Sequence, residues 1–367
     1  MKSQKIIALL LAALLCLPLL AACADEGGGV NTRPASGEGS QDIGNFVQGD
    51  YDQEDFTFLN VLNQEGGRDY YNGNYLDAES LTGATIEDAV YKRNMAVEEM
   101  YNVVIKQRNE VGDPAEVLQT FYMSGDFCFD VVYGWGYKMG SCIPQNFFAD
   151  FSTLPNIDLT QEYWSPSAME ELTVNGKVYL CINDISMNKL DWGGFVFYNK
   201  QLSEDYNVEN TLGAFYDLVK DGKWTLDKYL EAVKSVSNDL DGNGIIDRTD
   251  VYGLVEGDKT GVSIGLACGI NLAEKQDNGY YTLNYYNDKA LDIANKLQDV
   301  YTNKNYVWTY ARLGEGADIT GYDNEWEYYR SFFAKDNALF CTGSANITTE
   351  FRDMDSEYGI IPMPKYD

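Results

Sequence analysis

Two periods of apolar spacing take turns along this chain, and together they predict strands separated by helices. Phe56 to Leu62 reads as a strand, and Ile86, Ala89, Val90, Val97 and Met100 then recur at helical spacing behind Thr85, which forms a capping-box pair with Asp88. Val103 to Lys106 predicts the next strand. Asp113-Pro114 opens a helix through Val117, Leu118, Phe121 and Tyr122 that stops near Gly125, and Phe129 to Tyr133 predicts a third strand. Strands parted by helices imply βα units and a largely parallel sheet, whose ligands sit beyond the C-terminal ends of the strands.

The second half continues in the same way. Asn175-Gly176 between two short apolar runs spells a hairpin, and Phe195 to Lys200 is a strand ending in Tyr-Asn-Lys. A helix is predicted from Thr211 through Leu212, Phe215, Tyr216 and Val219. Another follows behind Thr225, with Leu226, Tyr229, Leu230, Val233 and Val236 on one face. Val251 to Val255 is a short strand, Asn278-Gly279 marks a second hairpin, and Ala290, Leu291, Ala294, Leu297 and Tyr301 share a helix face. An aromatic-rich segment, Tyr306 to Trp326, leads into a helix from Trp326 to Ala334, with Trp308 and Trp326 read as core or rim ahead of a weaker reading as cleft residues.

The N-terminus stands outside this pattern. Lys2 and Lys5 precede an apolar run, Ile6 to Leu20, too short for a spanning helix and followed by small residues, which is a secretory signal. Leu20-Ala21-Ala22-Cys23 resembles the bacterial lipobox, whose cysteine is acylated and begins the mature chain, so Cys23 would tether the protein through lipid. Ala24 to about Asp50 is rich in Gly, Ser, Asn, Asp and Glu and reads as a spacer.

Composition narrows the chemistry. The 367 residues are enough for two lobes with separate cores. With 27 basic against 57 acidic residues the net charge is −30, which argues against nucleic acid and anionic lipid as partners. No histidine occurs, which excludes Ser-His and Cys-His nucleophile pairs, histidine bases and histidine-ligated zinc. Five cysteines lie beyond Cys16 and Cys23, and their spacing is not metal-like; buried thiols are expected, with Cys128 to Cys142 a conceivable disulfide. Gly134, Gly136 and Gly140 make a poor dinucleotide fingerprint, the third glycine coming one position late.

One spacing demands a specific ligand. Asp239, Asp241, Asn243, Asp247 and Asp250 stand at positions 1, 3, 5, 9 and 12 of a loop with Gly244 at position 6. That is the calcium-loop pattern, in which the backbone carbonyl of position 7, here Ile245, adds a ligand; Asp250 replaces the usual bidentate glutamate. So many protein oxygens suit Ca²⁺ over Mg²⁺. A helix precedes the loop and a strand follows it, so the pattern predicts a structural clip rather than an opening helix pair.

The run from Gly222 to Leu254, with its Trp-Thr start, helix, Asp/Gly/Asn loop and Tyr-Gly-Leu strand, resembles extracellular solute-binding proteins of ABC importers, family 1, the carbohydrate-binding group. The resemblance implies an α/β, periplasmic-binding-protein-like type II fold, two lobes joined by crossing strands around a cleft. It divides the chain into a signal (1–23), a linker (24–50), an N-terminal lobe (51–194), a C-terminal lobe (195–357) and a return crossing (358–367). The strand at Phe195 resembles the first crossing and Tyr358 to Pro364 the crossing back. Helices normally follow that crossing, so the end is expected to be truncated, leaving an open sheet edge or exposed apolar face.

The resemblance also implies a ligand set. Trp135 stands where the family places a ligand-facing aromatic, Asp191 and Trp192 precede the first crossing, and Ser344 and Asn346 follow a strand through Phe340; Glu65 completes the set. Tryptophan and tyrosine offer flat faces to sugar rings, while acids and amides offer directional hydrogen bonds. The implied role is non-enzymatic: capture of a carbohydrate, an oligosaccharide by preference, and delivery to permease subunits at the outer face of the cell membrane. The alternative is a secreted glycoside hydrolase, which needs two carboxylates and no histidine.

Overall fold

The computed structural model describes residues 49–62, 76–185, 193–244, 246–247, 249–257, 260–315 and 319–367. The chain divides into two compact units, one built from residues up to Lys189 together with Asn278–Tyr280, the other from Leu190–Asp277 and Tyr281–Asp367.

In the first unit, β1 (Glu54–Leu62), β2 (Val103–Val111) and β3 (Val131–Tyr133) form a parallel sheet in the order β2-β1-β3. Their connections are α1 (Thr85–Tyr101) and α2 (Pro114–Ser124). Alternation along β1 serves both faces. Phe56 and Phe58 pack with Val97 and Tyr101 of α1, with Trp164, and with Met169 of α4 (Pro166–Leu172), while Leu59 and Val61 pack with Leu118 and Phe121 of α2 and with Met139. Met139 ends the one-turn helix α3 (Gly136–Met139). A small hairpin, β4 (Thr173–Val174) and β5 (Lys177–Val178), turns through Asn175 (φ 49) and Gly176 (φ 72).

The second unit carries a five-stranded mixed sheet in the order β10-β7-β11-β6-β12. Its strands are β6 (Gly194–Asn199), β7 (Tyr252–Glu256), β10 (Val307–Thr309), β11 (Ala338–Ser344) and β12 (Tyr358–Pro362). The β10-β7 and β7-β11 pairs are parallel, and β6 runs antiparallel to both β11 and β12. One face is covered by α5 (Lys200–Asp205), α6 (Val208–Leu212), α7 (Phe215–Lys220), α8 (Leu226–Ser235), α9 (Thr260–Ala267) and α10 (Asp288–Tyr301). The other is covered by α11 (Glu325–Ala334), whose Tyr328, Tyr329, Phe332 and Phe333 pack with Trp308 and Phe351. A separate hairpin pairs β8 (Ala273–Lys275) with β9 (Tyr281–Leu283). After β12 the chain lies against the start of α8: Leu226 N donates to the Lys365 carbonyl at 2.7 Å, and Trp224 Nε1 to the Pro362 carbonyl at 2.9 Å.

Several local expectations are revised. The Thr85–Asp88 capping box does not form: Ala84 is the N-cap, and the Asp88 carboxylate reaches further back, accepting from Thr82 N at 2.8 Å and Gly83 N at 3.2 Å. The helix expected from Thr211 to Val219 is two short ones, because Gly213 takes φ 105 and turns the chain between α6 and α7. The strand expected from Phe129 begins only at Val131, while β2 runs on to Val111. Cys128 and Cys142 are free thiols, the first exposed and the second buried, as are Cys181, Cys268 and Cys341. Trp308 is core and stacks on Tyr329 with ring centroids 6.0 Å apart.

Candidate functional site

The order β2-β1-β3 places a topological switch point beside β1, since the chain leaves β1 toward one side of the sheet and reaches β3 on the other. Ligands of open α/β sheets bind just outside the C-terminal strand ends at such a point. A hollow of about 120 Å³ lies there. Val61 from the end of β1, Gly112, Asp113 and Pro114 after β2, and Trp135 and Lys138 after β3 line it. Its volume is well below the roughly 300–1,000 Å³ of complete small-molecule sites, and is on the scale of a single ring.

Local chemistry fixes each wall. Asp113 caps α2, accepting from Ala115 N at 2.9 Å, and Pro114 supplies a first helical residue that needs no N–H partner. Trp135 is the N-cap residue of α3, extended at φ −69 and ψ 107, with its ring 5.4 Å from that of Tyr137. One turn on, Lys138 Nζ pairs with Asp113 Oδ2 at 2.9 Å, so the helices after β2 and β3 are tied to each other at the hollow. The hydrogen bond from Lys138 holds Asp113 below the ordinary carboxylate range, and Asp113 raises Lys138 in return. Both groups stay charged across the neutral range. The sequence offered Trp135 through its position after a strand; Asp113 was legible there only as a helix cap, and its pairing with Lys138 was missed.

In the second unit, Ser344 ends β11 and Asn346 begins the turn that follows. Both are half-buried, and the Ser344 hydroxyl donates to Asn346 Oδ1 at 2.6 Å. The same edge carries a group that sequence reading did not single out. Glu256, the last residue of β7, is 5 % exposed, and burial pushes its carboxyl up to about 8 against the opposing pull of Tyr301 and Thr260. Asp191, Trp192 and Glu65 lie outside the described residues.

The acidic loop connects α8 to β7 and is closed at its base by paired backbone hydrogen bonds between Asn238 and Val251, 3.1 Å each way. Asp239, Asp241 and Asp250 bring carboxylate oxygens within 4.8 Å of one another. Asp239 accepts from the backbone N–H groups of Gly244 and Gly242, both at 2.7 Å, and of Asn243 at 3.2 Å, which holds its pKa below the ordinary value. Asp250 is fully buried and accepts from Leu240 N and Asp247 N, each at 2.8 Å. The Asp247 carboxylate turns to Thr249, at 2.9 Å from both its N and Oγ1, and Asn243 Nδ2 donates to Asp241 Oδ2 at 2.7 Å. Ile245 lies outside the described residues. Three convergent hard oxygen donors fit a calcium ion's chemistry.

No protein-family model matches the sequence, and neither does any curated protein. Solved structures do match. The chain is similar to UspC of M. tuberculosis, at 15% identity and a TM-score of 0.50 over 85% of this chain and 69% of that one. It is also similar to a cyclo/maltodextrin-binding protein complexed with maltotetraose, at 14% identity and a TM-score of 0.51 over 85% of this chain and 66% of that one. The fold is periplasmic-binding-protein-like. At these identities the likeness is one of fold, and the chain spans about two thirds of the length of either structure.

Proposed function

We propose that this protein captures a carbohydrate, an oligosaccharide by preference, and delivers it to the permease of an ABC importer without transforming it. The observation that carries this reading is the switch-point hollow, where the Trp135 ring stands beside a hydrogen-bonding charged pair on a binding-protein fold. A sugar ring needs both: an apolar face to cover its C–H groups and fixed donors and acceptors for its hydroxyls. The fold's likeness to a protein solved with maltotetraose supports the same ligand class. Ser344 and Asn346, with Asp191, Trp192 and Glu65, complete the proposed ligand set.

Cys23 is proposed as the lipid anchor that holds the protein at the outer face of the membrane; among the described residues no helix is long and apolar enough to cross one. Labelled fatty acid should enter the intact protein and not its Cys23→Ala variant. The acidic loop is proposed as a structural Ca²⁺ clip held by Asp239, Asp241 and Asp250, with Asn243, Asp247 and the Ile245 carbonyl as further ligands. A bound divalent ion would neutralise the crowded carboxylates and fix the α8-to-β7 connection.

The test is to titrate the purified protein with neutral oligosaccharides by calorimetry and to follow the sugars by chromatography. Saturable binding with the sugars recovered intact is expected. Released reducing ends would instead favour hydrolysis by a carboxylate pair.

A further inference from the structure

We infer that the Trp135 hollow is selective for neutral sugar rings over acidic ones, and that Asp113 is the residue that sets the preference. The inference rests on the carbohydrate-binding reading and adds the charge class of the ligand to it.

Among the described residues, Asp113 and Lys138 are the charged side chains that line the hollow. An unmatched lysine beside an aromatic face would attract a uronate carboxylate. Here the ammonium is already matched at 2.9 Å by Asp113 Oδ2, and both groups hold their charges through the neutral range. The start of α2 offers an anion nothing either, because Asp113 Oδ1 occupies it by accepting from Ala115 N. Among the described residues, one ammonium and one carboxylate line the hollow, while Glu116, in the first turn of α2, adds a second carboxylate to the field at Lys138, on a chain whose net charge is −30. An acidic ring would meet repulsion from this balance, and reaching Lys138 would mean competing with Asp113. A neutral ring meets no such penalty. Its hydroxyls can donate to Asp113 and accept from Lys138 while its C–H face lies on Trp135.

Asparagine caps helices as well as aspartate does, so Asp113→Asn keeps the cap of α2 and removes only the charge. The experiment titrates the wild-type protein and this variant by calorimetry with neutral tetrasaccharides of glucose, galactose and mannose, and with tetrasaccharides of the matching uronic acids. For the wild type, the preferred neutral sugar should bind at least about tenfold more tightly than any uronate. The variant should narrow that gap about tenfold by gaining affinity for uronates. The wild-type gap should also narrow in about 1 M salt, where the Debye length falls to about 3 Å. Uronates binding the wild type as tightly as neutral sugars would overturn the inference and leave the carbohydrate reading standing. A folded variant with an unchanged gap would do the same. If no sugar of either class binds, the carbohydrate reading falls and this inference with it.

Discussion

Gly253 of β7 lies directly beneath the backbone carbonyl of Val233 in α8, so close that a Cβ at position 253 would overlap the oxygen and the two carbons behind it. The contact joins the helix and the strand that flank the acidic loop, and it requires the absence of a side chain. Both partners are backbone in the core of the second unit, so neither can yield by changing rotamer.

Gly253→Ala should therefore destabilise the second unit by about 1–3 kcal/mol, the usual cost of overpacking a core. Urea unfolding followed by circular dichroism measures it. A midpoint equal to that of the wild type would mean that α8 and β7 are not packed this closely.

Glu256 makes stability depend on pH in a direction opposite to that of a salt-bridged acid. Burial raises its native pKa to about 8, above the ordinary value of 4.5, so the folded state keeps a proton that the unfolded chain releases. Its contribution is fully present below about pH 4.5 and is lost as pH rises toward 8, at a slope of up to about 1.4 kcal/mol per pH unit. Subtracting the profile of Glu256→Gln, whose amide does not titrate, from that of the wild type isolates this contribution. The difference should fall steadily from pH 5 to 8 in thermal melts. A flat difference would place the carboxyl in contact with water.

Calcium should act on the loop from Asp239 to Asp250. At free Ca²⁺ about a hundredfold above Kd, ligand linkage supplies about 2.7 kcal/mol. For a domain of this size that raises Tm by roughly 5–10 °C. Chelator should reverse the rise, and the double variant Asp239→Asn with Asp241→Asn should show none. A melting midpoint indifferent to Ca²⁺ in the wild type would remove the clip.

Legibility in the sequence followed the range of the interactions involved. The start and stop of α2 could be read directly, because the Asp113 cap bonds two residues on and Gly125 takes φ 70 at the end of the same helix. The Asn175-Gly176 turn and the Thr225 cap, which accepts from Lys228 N, are equally local. Gly213 defeated the reading because the apolar period runs on through it, and only its positive φ shows the break. Trp135 stands out because it follows a predicted strand, beyond whose C-terminal end ligands of open α/β sheets sit, and because the family resemblance places an aromatic there, neither of which needs the sheet order. The Asp113–Lys138 pair and the burial of Glu256 depend on which strands and helices become neighbours, and no spacing in the chain encodes that.

Calorimetry with Trp135→Ala asks whether Trp135 presents a face to sugar in the hollow beyond β1 and β3. Tryptophan anchors typically contribute upwards of 2 kcal/mol, so the variant should bind the preferred oligosaccharide at least about tenfold more weakly at unchanged melting temperature. Equal affinity in the variant and the wild type would mean that Trp135 does not touch the sugar.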